Sequence, residues 1–317
     1  MTDVVLAIDI GGTKTAVALV GRAAGPVEAI SAPTPALSGP LAIVETVAGL
    51  AATLLGAADT AAVLRGVGIA TAGVVDVDSG AIVSSTDTIV GWTGTPLAAL
   101  VREALGARLA PDAPVRVLND VDAHAVGEYR HGAAAGARNA LVVAVGTGVG
   151  AGVIVEGRPL RGAHHVAGEI AHVPTPGAEH LRCPCGRMGH LEAIASGRGI
   201  HRHYLSLGGD PAQPDARAIV ARAAEGDPIA ERAIAESASA LGVGLAGAMT
   251  ILDPDLVVVT GGVADTGDLW WQPMYRRVRA EVIDALQDVP VVRGVLGGDA
   301  PLRGAAASVW ESWEEQS

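Results

Sequence analysis

The 317-residue sequence contains no Phe, and aromatic residues make up only 3% of it, so its cores must be built from Ala, Val, Leu and Ile. Cationic residues are also scarce, since 22 Lys and Arg face 34 Asp and Glu, which gives a formal charge of −12. Nucleic acids and anionic membranes are bound through clustered Lys and Arg. The charge balance therefore argues against both partners and favours a small-molecule ligand.

The sequence also lacks the features of a targeting signal or a membrane span. The first apolar run, MTDVVLAIDI, has an acidic residue where a signal peptide carries its positive region, and it soon reaches Asp9. The uncharged stretch from 140 to 155 contains four Gly and is shorter than a membrane span. We therefore expect a soluble, cytoplasmic protein.

Cysteine is nearly absent, because the two thiols, Cys183 and Cys185, both lie in the segment RCPCGRMGHLE at 182–192. Two Cys in a reducing compartment do not make a disulfide framework, and a bridge across one intervening residue would strain the disulfide geometry. Metal binding and simple packing are the interpretations that remain.

Hydrophobic periodicity predicts alternating strands and helices. VVLAIDI and TAVALVG are predicted strands joined by the turn GGTK, a helix is predicted from about 41 to 64, and the strand PVRVLND precedes a helix at 121–131. Asn119 and Asp120 are thus predicted to lie where a strand ends and a helix begins.

The second half of the sequence repeats this organisation. ALVVAVGTGVGAGVIVEG is again a predicted strand, glycine turn and strand, helices are predicted from about 195 to 249, and DLVVVTGGVA ends in a third glycine turn before a last helix, RGAAASVWESWEEQ. Mixed strands and helices in two similar halves predict an α/β protein with two lobes.

The first turn, DIGGTK, combines groups that suit a phosphate. Gly11 and Gly12 leave backbone amides unshielded, Thr13 adds a hydroxyl and Lys14 an ammonium group. The carboxylate of Asp9 could hold a phosphate-bound Mg²⁺ directly or through water. An ordinary hairpin turn would explain GGTK if it stood alone.

Two further glycine turns support a phosphate-binding role, one at Gly146, Thr147 and Gly148 and one at Gly261 and Gly262. GTGVGA fits the dinucleotide pattern G-x-G-x-x-A, but that motif must open a helix, and here GVIVEG continues as a strand. A Walker A motif is absent. The three turns favour a nucleotide held between two lobes.

Six motifs follow one another along the chain: DIGGTK at 9–14, LND at 118–120, GTGVGAG at 146–152, GEIAH at 168–172, CPCGRMGHLE at 183–192 and TGGVA at 260–264. Their order resembles that of the ROK family of sugar kinases, repressors and open reading frames. The resemblance implies the two-lobed actin/hexokinase-like ATPase fold, with ribonuclease H-like duplicated domains, and a homodimer. The expected lobes are a small one at 1–118 plus 303–317 and a large one at 119–302 with a zinc-binding loop.

Asp120 is the predicted catalytic base. Ligands collect at the ends of strands in α/β sheets, although Asn119 or Asp120 could equally serve only to cap the following helix. The resemblance implies that Asp120 accepts the proton of the sugar hydroxyl and that Asn119 binds the sugar. Asp122 stands where the family commonly has Asn, and it could raise the pKa of Asp120 if its side chain points inward.

The resemblance also implies sugar ligands elsewhere in the chain. Glu169 and His172 of GEIAH, together with Glu192, would contact sugar hydroxyls, although Glu192 could also simply favour the start of a helix. In IATAG, Ala72 replaces a frequent proline of the family, and the backbone of Gly73 could approach the sugar.

A structural zinc site is the further implication of the resemblance. The third cysteine of the family pattern is replaced here, which leaves four ligands competent for tetrahedral Zn²⁺: His172, Cys183, Cys185 and His190. The alternative is a degraded site whose loop is held by packing alone. Other histidines are close in sequence: His164, His165 and His180.

The sequence therefore predicts an ATP-dependent, Mg²⁺-assisted hexose kinase, with glucose as the first choice of substrate and N-acetylhexosamines or other aminosugars as the alternative. A DNA-binding, sugar-responsive regulator is disfavoured because DIGGTK begins at Asp9 and leaves no room for a preceding helix-turn-helix. A sugar sensor without chemistry is disfavoured by the presence of Asp120 and Lys14.

Overall fold

The computed structural model of the protein describes residues 2–23, 27–57, 62–86 and 88–314. The chain divides into two compact units. The first comprises Met1–Ala135, Pro159–Ala167 and Gly298–Ser317, and the second comprises Gly136–Arg158 and Gly168–Gly297.

Strands and helices alternate as the periodicity predicts. The strands are β1 (Thr2–Ile10), β2 (Lys14–Gly21), β3 (Ala29–Pro33), β4 (Ala62–Thr71), β5 (Val74–Asp76), β6 (Ala81–Ser84), β7 (Val115–Asn119), β8 (Ala140–Val145), β9 (Val149–Val155), β10 (Arg158–Pro159), β11 (Leu256–Thr260) and β12 (Val291–Arg293). The α-helices are α1 (Pro40–Ala57), α2 (Leu97–Leu105), α3 (Asp120–His131), α4 (Leu191–Ala195), α5 (Gly197–Ser206), α6 (Ala216–Ala224), α7 (Pro228–Leu252), α8 (Asp268–Glu281) and α9 (Ala300–Glu314).

The first unit is built on a five-stranded sheet in the order β3-β2-β1-β4-β7. The strand β1 is buried on both faces, which explains its nearly continuous apolar sequence. Leu6, Ile8 and Ile10 join a core with residues of α1 and α2, whereas Val5 and Ala7 join a second core with residues of α9. The sheet therefore lies between two layers of helices.

The second unit repeats this topology, with a five-stranded sheet in the order β10-β9-β8-β11-β12. In each sheet an antiparallel hairpin is followed by parallel strands, so the faint internal repeat of the sequence reflects a repeated sheet. The core of this unit contains Leu141 and Val143 of β8, Leu241 and Leu245 of α7, and Trp270 of α8.

One predicted helix boundary is wrong. The helix predicted to reach Leu64 ends at Ala57, residues 58–61 lie outside the described residues, and β4 begins at Ala62. Leu64 pairs with Val4 of β1 in parallel register. Sheet pairing thus overrides the local helical pattern of this Ala- and Leu-rich segment.

The compact units divide the chain differently from the predicted lobes, because α3 belongs to the first unit although the large lobe was predicted to begin at residue 119. The physical reason is the close packing of α3 against α9. A Cβ atom at Gly304 would overlap the carbonyl of Ala123, and one at Gly127 would overlap the carbonyl of Ala300. The two-lobe division stays a prediction.

Gly304→Ala is expected to destabilise the protein by about 3 kcal/mol or more, because the new methyl group would force α3 and α9 apart. Gly49→Ala is the matched control, since a Cβ at this helical glycine of α1 meets nothing within 4 Å. The control is expected to stabilise by roughly 0.5–1 kcal/mol. Urea unfolding measures both, and equal midpoints for the two variants would contradict the packing argument.

Two helices of the described chain, α1 and α7, are long and apolar enough to cross a membrane by length and composition alone. Core helices of soluble proteins pass the same test, and half of the most apolar stretch of α7 is buried. The helix α1 likewise buries Ile43, Val44 and Val47 in the core of the first unit. These helices are weak grounds for a membrane protein, and the cytoplasmic location stays a prediction.

Candidate active site and metal-binding cluster

The first glycine turn connects β1 to β2, as predicted. The N–H of Gly11 donates to the carbonyl of Lys14 at 3.0 Å, and Oγ1 of Thr34 donates to the carbonyl of Gly11 at 2.8 Å. A Cβ atom on Gly12 would overlap the methyl group of Thr88. The turn is therefore held in place by hydrogen bonds, and a side chain at position 12 would require Thr88 to move.

Asp9 lies next to this turn, one residue before the end of β1. Burial raises the pKa of its carboxyl from 3.8 to about 6, and the ammonium group of Lys14 opposes this shift. A largely buried carboxylate with an elevated pKa favours a bound cation, because a cation restores the charge balance that water would otherwise provide.

Asp9→Asn is expected to stabilise the ligand-free protein at pH 7 and to weaken the binding of MgATP. The folded-state pKa of Asp9 lies above its usual value, so protonation of this carboxyl stabilises the folded state. That stabilisation is complete below pH 4 and is lost as the pH rises through 6. The ionised carboxylate then costs up to about 3 kcal/mol, and we expect roughly 1–3 kcal/mol of stabilisation in urea unfolding. A less stable variant at pH 7, or a stabilisation that does not shrink toward pH 4, would contradict this electrostatic account.

Asn119 and Asp120 lie at the junction of β7 and α3, where the sequence predicts them. The Oδ1 atom of Asn119 accepts hydrogen bonds from the N–H groups of Val121 at 2.9 Å and Asp122 at 3.4 Å, so Asn119 is the N-cap of α3. Asp120 is the first residue of the helix, and its Oδ1 also accepts from the N–H of Val121, at 2.9 Å. Asp120 therefore lies in the first turn of α3, directly after the end of β7.

Gly73 is joined to this junction, because its carbonyl accepts a hydrogen bond from Nδ2 of Asn119 at 2.8 Å. Its φ of +103° is in the region that favours glycine, and a Cβ would lie 2.8 Å from the carbonyl oxygen of Ser84. Two residues predicted to bind sugar, Gly73 and Asn119, therefore lie together beside Asp120 within the first unit.

Asp122 points inward and is paired, an arrangement that the sequence did not reveal. Its carboxylate accepts a hydrogen bond from the guanidinium of Arg161, and the two side chains are 14% and 20% exposed. Burial raises the pKa of Asp122, while the charge and hydrogen bond of Arg161 lower it. Sequence reasoning missed Arg161, since no local pattern connects it to a residue so far along the chain.

The second and third glycine turns lie together in the second unit. The N–H of Gly146 donates to the carbonyl of Gly148 at 2.9 Å, and the carbonyl of Gly146 accepts from the N–H of Gly197 at 2.8 Å. Gly261 has a φ of +96°, and a Cβ there would lie 2.5 Å from the carbonyl oxygen of Val145. Close backbone approach therefore requires glycine in the third turn.

A cavity of about 690 Å³ opens beside these turns within the second unit. Its lining includes the backbone of Gly146, Thr147 and Gly262. Cationic or titratable side chains also line it: Arg198, His201, Arg202 and Arg217. These side chains were not predicted from the sequence, although the spacing of Arg198 and Arg202 on α5 places both on one helix face. Several guanidinium groups around glycine turns suit a polyphosphate ligand.

The predicted sugar-binding carboxylates of the second unit lie close to its other functional groups. Glu169 directly precedes the 3₁₀ helix Ile170–His172, and its Oε2 is 3.5 Å from Nε2 of His172. Glu192 accepts a hydrogen bond from the N–H of Val149 at 3.2 Å, next to the second glycine turn.

Four side chains of the second unit form a cluster that could hold a metal ion, and they are the four that the sequence predicts: His172, Cys183, Cys185 and His190. One ligand atom from each lies within 4.8 Å of all the others. The Sγ of Cys183 is 3.7 Å from Nδ1 of His172, and the Sγ of Cys185 is 3.2 Å from Nδ1 of His190.

The chemistry of this cluster fits Zn²⁺. Burial, together with the neighbouring His172 and Arg187, lowers the pKa of His190, which favours the neutral imidazole that a metal ligand must be. Burial raises the pKa of Cys183 to about 11 in the protein without metal, and a bound metal would displace that proton. His172 directs Nδ1 toward the cluster and Nε2 toward Glu169.

The other nearby histidines have different neighbours. His180 is hydrogen-bonded through Nε2 to Oγ of Ser206 at 3.2 Å. His165 belongs to the first unit, where its Nε2 is 3.9 Å from Oδ1 of Asp76. Neither is part of the cluster of His172.

Comparison with known proteins assigns the chain to a family. The ROK family profile matches residues 5–312. The protein belongs to the ROK family. A glucokinase of Halalkalibacterium halodurans is 31% identical over 254 residues, which cover 76% of this ROK protein and 74% of that relative. The bifunctional enzyme NanE/NanK of Brucella melitensis is 36% identical over 304 residues, which cover 95% of this chain and 53% of that enzyme.

A solved structure supports the same assignment. The ROK family glucokinase of Streptomyces griseus, in complex with glucose and AMPPNP, is 30% identical and superposes with a TM-score of 0.81, covering 97% of this chain and 99% of that one. The predicted actin/hexokinase-like ATPase fold is confirmed.

Proposed function

We propose that this ATP-dependent sugar kinase of the ROK family transfers the γ-phosphoryl group of ATP to a hydroxyl of glucose. The observation that carries the proposal is the position of Asp120, at the carboxyl end of β7 and the first turn of α3, beside Asn119 and Gly73. The similarity to two glucokinases, one of them bound to glucose, favours glucose among the hexoses.

In the proposed reaction Asp120 accepts the proton of the attacking sugar hydroxyl. Phosphoryl transfer needs little covalent chemistry from the protein, so the other residues position the reactants and neutralise the phosphates. The groups proposed to hold the nucleotide are Asp9, Gly11, Gly12, Thr13, Lys14, Gly146, Thr147, Gly148, Gly261 and Gly262. Mg²⁺ bound with the nucleotide would supply charge neutralisation, and Asp9 is the residue placed to hold it directly or through water.

The proposed sugar ligands combine acceptors and donors, as sugar hydroxyls require. Glu169 and Glu192 would accept hydrogen bonds from hydroxyls, and the amide of Asn119 and the backbone of Gly73 would add further contacts. His172 would serve twice, because a metal at Nδ1 would fix its ring and leave Nε2 for the sugar.

We further propose that His172, Cys183, Cys185 and His190 hold a structural zinc ion. Such an ion would add a fixed tetrahedral cross-link to the loop between the 3₁₀ helix and α4. The homodimer and the cytoplasmic location are proposals that rest on the family and the composition, and size-exclusion chromatography with light scattering tests the first of them.

An N-acetylhexosamine or another aminosugar is the second candidate substrate. It is favoured by the 36% identity to the bifunctional enzyme NanE/NanK, which is higher than the identity to the glucokinase of H. halodurans. All these sugars share the hydroxyls that the proposed ligands would contact, so selectivity would depend on groups near the 2-position.

A coupled ADP-release assay over glucose, mannose, N-acetylglucosamine and N-acetylmannosamine tests the choice of sugar. We expect kcat/KM to be at least about tenfold higher for glucose than for any other sugar, because the other sugars differ from it at the 2-position and a group there that does not fit or does not hydrogen-bond costs this much or more. A higher kcat/KM for an N-acetylated sugar than for glucose would show that the substrate is an N-acetylhexosamine and not glucose.

A further inference from the structure

The segment Pro159–Ala167 has an unusual place in the fold. It belongs to the first unit, whereas the residues on both sides of it, up to Arg158 and from Gly168 onward, belong to the second. The chain therefore leaves the second unit, forms part of the first for nine residues and returns to the second. We call this segment the strap.

The strap has a defined local conformation. The N–H of Ala167 donates to the carbonyl of Arg161 at 3.2 Å, which closes the segment into a loop. Within this loop Gly162 has a φ of +74° and His165 a φ of +59°. A positive φ at a non-glycine residue is energetically unfavourable and persists only where the surrounding contacts stabilise it. At His165, the Nε2 atom lies 3.9 Å from Oδ1 of Asp76.

The charged contact between the strap and α3 is the ion pair of Arg161 with Asp122. Asp122 lies two residues after Asp120, in the first turn of the same helix. Both side chains of the pair are at least four-fifths buried, unlike the ion pair of Arg138 with Glu156, whose side chains are 72% and 69% exposed. Removing one partner of a buried pair leaves an uncompensated charge, whereas an exposed pair contributes little.

The strap also continues directly into a proposed sugar ligand. Ala167, whose N–H closes the loop, is followed by Gly168 and Glu169. Gly168 has a φ of +90°, and a Cβ there would overlap the carbonyl of Ala151, so close backbone approach requires glycine here. Because only Gly168 separates the end of the strap from Glu169, the placement of the strap limits where the backbone of Glu169 can lie.

We propose that Arg161 is a positioning residue for phosphoryl transfer, whose ion pair with Asp122 holds the strap against the first turn of α3 and thereby fixes Asp120 and Glu169. This rests on the proposed roles of Asp120 as base and Glu169 as sugar ligand. Arg161 is not among the residues proposed to contact sugar or nucleotide, and its proposed effect passes through Asp122 and through the backbone of the strap.

Steady-state kinetics of Arg161→Gln, Asp122→Asn and the double variant test the proposal. Arg161→Gln leaves the buried carboxylate of Asp122 without its cation, and we expect kcat to fall at least about tenfold and KM for the sugar to rise, with KM for ATP within twofold of wild type. The double variant replaces the ion pair by two amides, which can still hydrogen-bond, and we expect it to recover kcat to within about threefold of wild type. Arg138→Gln is the matched control and is expected to leave all three constants unchanged.

A merely structural pair would give a different result. Arg161→Gln would then lower the unfolding temperature but leave kcat and KM unchanged at 25 °C, and this outcome overturns the proposal. A double variant as slow as Arg161→Gln overturns it equally. If Arg161→Gln does not fold, Arg161→Lys takes its place. It keeps the charge of the pair, so we expect kcat within about threefold of wild type, and a tenfold lower kcat with an unchanged KM for the sugar would overturn the proposal.

Amide hydrogen exchange separates this proposal from the proposed function. We expect faster exchange at 121–124 and 161–169 in Arg161→Gln, with recovery in the double variant. If the wild type phosphorylates no sugar, the proposed function fails, but the exchange result still decides whether the ion pair orders the strap and α3. Unchanged exchange in Arg161→Gln would contradict the positioning role even in an active kinase.

Discussion

Asp120→Asn is expected to lower kcat by a factor of about 10² to 10⁴, which is the usual contribution of a positioned general base. The amide is nearly isosteric with the carboxylate, and its oxygen can still accept the hydrogen bond from Val121 that the wild-type side chain accepts. The helix cap is supplied by Asn119 and stays intact. The loss of rate would therefore report the lost base and not a disordered helix.

Asp120→Asn is expected to change kcat but not KM for ATP. KM for ATP should stay within about threefold of wild type, since Asp120 is not among the residues proposed to hold the nucleotide. Asp112→Asn is a suitable control, because Asp112 is exposed in the turn before β7 and should tolerate the same change. A variant at position 120 with wild-type kcat would remove Asp120 from the reaction.

Cys185→Ser is expected to lose the proposed zinc ion and to lower the unfolding temperature by about 5 to 8 °C. The binding free energy of a structural zinc is part of the folding free energy, and a loss of about 3–5 kcal/mol corresponds to such a shift in a protein of this size. The prediction depends on the cluster of ligand atoms that lie within 4.8 Å of one another. Elemental analysis and thermal unfolding measure the two effects.

Two further variants make the zinc test specific. His190→Cys restores the cysteine that the family pattern has at this position, and it is expected to keep a full equivalent of zinc. His180→Ala removes a histidine that bonds to Ser206 outside the cluster, and it too should keep the metal. Less than about half an equivalent of zinc in the purified wild type would count against a structural site.

Much of the fold and part of the site could be predicted from the sequence, because both depend on local patterns. Period-two and continuous apolar runs predict the strands on either side of the first two glycine turns, and these hairpins are present. The LND segment places Asn119 and Asp120 at a strand end, where the structure has them. The resemblance to the family pattern identified His190 as the fourth member of the cluster, and the four ligand atoms lie within 4.8 Å of one another.

The rest depends on contacts between distant parts of the chain. The end of α1 is set by the pairing of Leu64 with Val4, which no local pattern reveals. Asp122 and Arg161 are 39 residues apart, so the sequence could name the unusual carboxylate but not its partner. The arginines of the cavity beside the glycine turns were not predicted for the same reason. The local pattern of their helices indicates an amphipathic helix but not which other parts of the chain lie next to it.

Transfer of label from [γ-³²P]ATP tests the central claim most directly. The wild type is incubated with labelled ATP, Mg²⁺ and glucose beside Asp120→Asn, and the products are separated into sugar phosphate, inorganic phosphate and ATP. A sugar kinase of the proposed kind predicts label in glucose phosphate in a one-to-one ratio with ADP, and at least a hundredfold less of it with the variant. ADP accompanied only by inorganic phosphate, or equal transfer by both proteins, would contradict the claim.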